Sequence, residues 1–274
     1  METIETGTEE LRVSLERRVA TITLNRPAKR NALSDRLTPA LRQALLDLEA
    51  RDDVGCVVIT GAGTAFCAGG DISDMRDDAS SSAHGPVADH DAKVRELIHR
   101  QETLTLRLHD LAKPTLAALP GVAAGAGLCL ALACDLRMAC ESAFITTAYR
   151  NVAFSGDYGG SWLLSRLVGP AVTKELYFTG RRVAADEARQ LGIFNSVVPD
   201  DKLAAATQAL AQTLADGPAL ALRYMKENIN AAFDSSLRDS LALEADRLLR
   251  CADTADHREA VTAFMEKRPP VFNR

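Results

Sequence analysis

The chain has 274 residues, 47% of them hydrophobic and 25% charged, with a formal net charge of −5. That length can bury one substantial core, and the acidic balance gives no positive field for a polyanion, so nucleic acid is excluded as an expected partner. Six cysteines without a CxxC pair read as reduced core residues, so no disulfide framework or metal site is expected. The N-terminus is acidic and has no apolar signal core, and no stretch nears the ~20 apolar residues of a membrane span, so the expectation is a cytoplasmic protein without a membrane partner.

The elements read as mixed α/β. Residues 13–15 and 19–24 alternate in polarity around Glu16-Arg17-Arg18 and predict a hairpin. After Asn25-Arg26-Pro27, Ser34 can cap a helix that carries Leu37, Leu41, Leu45 and Leu48 on one face. A strand is predicted at residues 56–60, then a polar, Ser- and Asp-rich surface loop at 77–91 that can serve as a lid. A helix with Val94, Leu97, Ile98, Leu104 and Leu108 leads to Lys113-Pro114 and a further strand. Residues 127–133 predict a short buried helix, 136–139 and 143–146 two strands, and 160 onward helix. Beyond Val197-Val198-Pro199 the chain reads as helix throughout, broken near Gly217-Pro218 and Asp234-Ser235-Ser236.

Two glycine turns carry the chemistry: Ala65-Phe66-Cys67-Ala68-Gly69-Gly70-Asp71-Ile72 and Gly121-Val122-Ala123-Ala124-Gly125-Ala126-Gly127-Leu128. Each follows an apolar strand and leads toward a helix, so each can present unpaired backbone N–H groups. Two converging donors form an oxyanion hole for a carbonyl oxygen that gains charge. Taken singly, either turn is also an ordinary strand-to-helix connection.

With Asn25-Arg26-Pro27, Asn31-Ala32-Leu33 and the stretch 176–199, these turns resemble, in order, the enoyl-CoA hydratase/isomerase (crotonase) superfamily over nearly the whole chain. The resemblance implies an α/β spiral of ββα units at residues 1–200 holding an acyl-CoA pocket. It also implies a helical region at 201–274 for assembly as a homotrimer or dimer of trimers. The activity implied is that of a hydratase or isomerase on an unsaturated acyl-CoA thioester, with no resident cofactor and coenzyme A as part of the substrate. The oxyanion donors fall on the backbone of Gly70 and Ala126.

Both glutamates of the hydratases are replaced, by Cys129 and Tyr149. Cys129 reads as a small buried hydrophobe, and Tyr149 as a poor base at neutral pH that packs against the acyl chain. One carboxylate remains in a family position, Asp157 in Ser155-Gly156-Asp157-Tyr158-Gly159-Gly160. It is expected to move protons, the bland alternative being a helix N-cap. Glu102 falls near the slot of a second base in the dehalogenase branch and otherwise reads as a solvated helix charge. Coenzyme A contacts are implied at Lys29, Arg30, Ala32, Ala68, Asp71, Ile72, Lys267 and Phe272. Two alternatives stand beside this reading: a non-catalytic acyl-CoA-binding protein, and an Asp157-dependent hydrolase or dehalogenase.

Overall fold

The computed structural model describes residues 1–71 and 90–272. Strand β1 (Glu2–Ile4) precedes the expected hairpin of β2 (Leu11–Glu16) and β3 (Val19–Leu24). Leu11, Val13 and Leu15 point into the core while Arg12 and Glu16 face solvent, the alternation of a half-buried strand. Arg17 and Arg18 take left-handed φ angles of 48° and 69°, which lets a two-residue turn follow the strand twist. The sequence pattern gave no sign of β1, because its three residues are held by antiparallel pairing with β2 and hardly by burial.

Helix α1 (Leu37–Ala50) buries Leu37, Leu41, Leu45 and Leu48, and Ser34 Oγ accepts the Leu37 amide at 3.0 Å as a cap. Three ββα units follow. In the first, β4 (Cys56–Gly61) and β5 (Ala65–Cys67) precede α2 (His90–Gln101), which runs through a π-helical turn at Glu102–Leu106 into α3 (Arg107–Asp110). The second comprises β6 (Thr115–Leu119), β7 (Val122–Ala124) and α4 (Ala126–Ala133). The third comprises β8 (Leu136–Cys140), β9 (Phe144–Thr146) and α5 (Gly160–Thr179), which is broken by a kink at Gly169 (φ 76°, ψ 164°) ahead of Pro170. Then come β10 (Val183–Ala184), α6 (Ala185–Gln190), β11 (Ser196–Val198) and helices α7 (Leu203–Ala215), α8 (Ala219–Ala232), α9 (Leu237–Ala252) and α10 (Ala255–Glu266).

The first strand of each unit joins a seven-stranded sheet, β1-β2-β3-β4-β6-β8-β11, parallel from β3 onward. The second strand joins a four-stranded sheet, β10-β9-β7-β5. This is the spiral of ββα units that the family resemblance implies, and every residue of α4 is buried, as its unbroken apolar run predicts.

One expectation fails in part. The helix at 90–101 forms, but Val94, Leu97 and Ile98 stay exposed while Leu104 and Leu108 are buried. Every residue from His90 to Arg100 is exposed, so this part of the helix turns no face to the core among the described residues, and burial begins only within the π turn, at Leu104 and Thr105. The expected lid at 77–91 lies outside the described residues except for His90 and Asp91, which begin α2.

At the C-terminal end, α7 lies on β3, β4, β6 and β8, whereas α8 and α9 bury no residue and α10 buries Ala263 alone. No helix among the described residues is long and apolar enough to cross a membrane.

The loop from β3 to α1 is pinned by Asn31, fully buried in left-handed conformation. Its Oδ1 accepts the Arg26 amide at 2.9 Å, and its Nδ2 donates to the Ala62 and Ala65 carbonyls at 3.0 and 2.8 Å. Asn31→Ala strands all three backbone groups in a dry site and is expected to lower the unfolding free energy by ~2–4 kcal/mol. Urea denaturation with an unchanged m-value checks this; a midpoint equal to that of the parent would contradict it.

Candidate active site

The first glycine turn is built on Leu33. Its N–H donates to the Gly69 carbonyl at 2.8 Å and its carbonyl accepts the Asp71 N–H at 3.1 Å, an isolated parallel bridge between Leu33 and Gly70. Because the Gly69–Gly70 peptide is trans, a carbonyl turned to Leu33 turns the Gly70 N–H the opposite way. The second turn obeys the same rule. The Gly125 carbonyl accepts the Cys129 amide at 3.1 Å along the axis of α4, so the Ala126 N–H projects out of the helix N-terminus. Among the described residues neither N–H has an acceptor.

The two turns are close. A Cβ on Gly69 would lie 3.0 Å from the Ala124 carbonyl oxygen and 3.7 Å from the Ala126 nitrogen, so the two turns pack against each other. Gly125 takes φ 50° and ψ −126°, a conformation open to glycine, and Ala126 keeps a negative φ, which alanine adopts without strain. Gly127 supplies the close approach: a Cβ there would meet the Cys67 carbonyl at 2.4 Å, so glycine lets α4 sit against the end of β5.

Asp157 lies in the turn ahead of α5, and its Oδ1 accepts the Tyr149 hydroxyl at 2.6 Å. The N-cap alternative does not hold, because α5 starts after Gly159 with no side-chain cap and only the Asp157 carbonyl accepts a helix amide, that of Gly160 at 3.1 Å. Cys129 Sγ lies 3.1 Å from the Tyr149 hydroxyl oxygen, and the Tyr149 ring stacks on Tyr177 with centroids 5.6 Å apart. Burial pushes the Cys129 thiol up to about 12 and drives the Tyr149 phenol far above its ordinary value, with Cys129 and Asp157 adding to the latter. Both stay protonated at neutral pH. Burial also lifts the Asp157 carboxyl above the usual carboxylate range, and the Tyr149 hydrogen bond opposes part of that rise. The Tyr149 hydroxyl is thus committed to Asp157, a pairing that packing against an acyl chain did not anticipate.

Glu102 is exposed on the π turn, and a cavity of about 530 Å³ lies between that turn and α5, walled by Glu102, Leu106, Tyr158, Gly159, Trp162 and Leu163. Of the residues expected to meet coenzyme A, Lys29 is exposed and reaches Asp71 at 3.9 Å, and Arg30 is exposed with a left-handed φ of 49°. Ala32 is buried, and the Ala68 amide donates to the Arg30 carbonyl at 3.0 Å, so this segment runs beside the first turn. The Asp71 carboxylate is buried against Arg26 at 3.1 Å, and Arg26 also donates to the Ala32 carbonyl. Asp71 therefore anchors the loop through its side chain, a role its position in the turn did not reveal. Ile72 lies outside the described residues. Lys267 caps α10 with left-handed φ, and Phe272 follows a segment fastened to α10 by Arg268–Glu259 and Val271–Glu259 contacts.

The sequence profile of the enoyl-CoA hydratase/isomerase family matches residues 14–274. The chain belongs to that family. It is 38% identical over 258 residues to the 1,2-epoxyphenylacetyl-CoA isomerase of Escherichia coli, covering 94% of this chain and 96% of that one. It is 32% identical to the short-chain-enoyl-CoA hydratase of Clostridium acetobutylicum, covering 92% and 93%. Among solved structures, an enoyl-CoA hydratase from Bacillus anthracis superposes with a TM-score of 0.87 at 32% identity, covering 96% of this chain and 98% of that one. Membership in the crotonase superfamily, its fold and its character as an enzyme family are thereby shown.

Gly127→Ala tests how the turns are brought together. The added methyl is expected to force α4 off β5, lowering stability by ~1–3 kcal/mol in urea denaturation, as overpacking does. Parental stability would contradict the close approach.

Proposed function

We propose that this enoyl-CoA hydratase/isomerase family member shifts a double bond in an unsaturated acyl-CoA thioester. The observation that carries the reading is the half-buried Asp157 carboxylate, held by the Tyr149 hydroxyl and set in a different segment from the two unpaired amides. The thioester oxygen sits between the N–H groups of Gly70 and Ala126, which stabilise the charge it gains when a neighbouring C–H is deprotonated. Asp157 takes that proton as base and returns it to another carbon of the dienolate as acid, so its starting state is restored. Tyr149 only donates, which orients the carboxylate, and Cys129 is a packed wall.

One carboxylate suffices for such a shift, whereas hydration also asks for an activated water. With both hydratase glutamates replaced, isomerisation is the better supported half of the family's chemistry, and the isomerase relative in Escherichia coli supports it as well. Lys29, Arg30 and Lys267 offer cations to the phosphates of coenzyme A, while Ala32, Ala68, Asp71, Ile72 and Phe272 lie in the segments assigned to its pantetheine and nucleotide. The helical region 201–274 is assigned to assembly as a homotrimer or dimer of trimers. Supporting that, Ile229, Leu237, Leu248, Phe264 and Met265 are each more than 60% exposed on α8 to α10.

Asp157→Asn is expected to cut double-bond migration, and solvent deuterium exchange at the α-carbon of a saturated acyl-CoA, by ~10²–10⁴-fold. Full retention of both rates would remove Asp157 from the mechanism. With Asp157 as base, kcat/KM climbs with pH through an inflection above the ordinary carboxylate value of ~3.9. The linked stability runs the other way: a carboxyl whose pKa is raised by folding stabilises below its unfolded pKa, and that contribution is lost as pH rises through the folded value. Asp157→Asn is therefore expected to melt no lower than the parent at pH 7 while losing activity; calorimetry showing a clear loss of stability would contradict it.

A further inference from the structure

The turn that carries Asp157 is conformationally demanding. Gly156, Tyr158 and Gly159 all take positive φ, of 126°, 49° and 71°, so three of four consecutive residues sit in or near the left-handed region. For Tyr158, an aromatic residue, that conformation persists only where surrounding contacts hold it. The Asp157 side chain is tied at one point, the Tyr149 hydroxyl, and the Tyr158 amide is held from another unit of the fold. Gln101 Oε1 accepts that N–H at 2.8 Å across 57 residues of sequence. Gln101 closes α2 and immediately precedes the π turn, where Thr105 Oγ1 donates back to its carbonyl at 3.3 Å. A π turn aims side chains differently from the α-helix around it, and such turns are frequent at functional sites. Gln101 and Tyr158 line the same cavity.

We propose that Gln101 is a positioning residue for Asp157: by accepting the Tyr158 amide it locks the strained turn and fixes the carboxylate against the reacting carbon. Its bond to the Asp157 turn is to the Tyr158 backbone and not to the carboxylate, so it acts on Asp157 through the backbone. The proposal rests on Asp157 being the proton-transfer group.

The test uses the full-length protein with an unsaturated acyl-CoA substrate, and compares Gln101→Met, which keeps the length and removes the acceptor, with Gln101→Glu, which keeps an acceptor. Gln101→Met is expected to lower kcat by ~10–100-fold, the cost of a misplaced group, while KM moves by less than ~3-fold. Gln101→Glu is expected to recover most of kcat. Hydrogen exchange read by NMR gives the structural arm: the Tyr158 amide is protected in the parent and in Gln101→Glu, and exposed in Gln101→Met. Full kcat in Gln101→Met, or an unchanged Tyr158 exchange rate, would overturn the proposal. Failure of the underlying reading looks different, since parent and Asp157→Asn would then turn over alike.

Discussion

A single peptide plane, that between Gly69 and Gly70, sets the geometry on which the site depends. Leu33 binds its carbonyl, and trans planarity then commits the Gly70 N–H to the other side, while the Ala126 amide leaves the N-terminus of α4 in the adjoining turn. Ala126 is 5% exposed, and a buried N–H without an acceptor costs ~1–3 kcal/mol. The fold tolerates this because both turns are held from behind: Asn31 and Arg26 clamp the loop that carries Leu33, and Gly127 seats α4 on β5. In the proposed role as oxyanion donors, two amides held in this way are already oriented when a charged oxygen arrives, and preorganisation of this kind is what lowers a barrier.

Around that pair, burial sorts the ionisable groups into separate tasks. Cys129 and Tyr149 are kept protonated by desolvation, so neither competes as a base, and Tyr149 is left to donate. Asp157 is raised but accepts a hydrogen bond, an arrangement that suits the proton-transfer role proposed for it. The cavity beside the Asp157 turn has apolar and aromatic walls in Leu106, Trp162 and Leu163, so a hydrocarbon group entering it would be shielded from water.

Much of this was legible in the sequence because it is local. The leucine stripe of α1, the fully apolar α4, the hairpin and both glycine turns are patterns within ten or fifteen residues, and the order of the turns carried the family resemblance. Asp157 stood out by its place before α5. What the sequence hid is long-range. The partnership of Gln101 with Tyr158 spans 57 residues and that of Arg26 with Asp71 spans 45, and no spacing rule connects them. The π turn at Glu102–Leu106 has no composition signature, and the exposure of residues 90–100 depends on where the helix meets the rest of the fold, which the spacing of Val94, Leu97 and Ile98 does not show. Tyr149 was noted eight residues before Asp157, yet only the 3-10 turn between Ala148 and Ala153 shows that its hydroxyl meets the carboxylate.

The central claim is that two backbone amides polarise a thioester carbonyl, and vibrational spectroscopy reads that polarisation directly. Ala126 is the first residue of α4, where proline is tolerated, so Ala126→Pro removes one N–H and keeps the helix. Difference Raman spectra of a bound saturated acyl-CoA are expected to show the carbonyl stretch moved to lower frequency than in solution. With Ala126→Pro, at protein concentrations where calorimetry confirms binding, much of that displacement is expected to disappear. A bound carbonyl that vibrates as it does in water, or one equally displaced in parent and variant, would contradict the account.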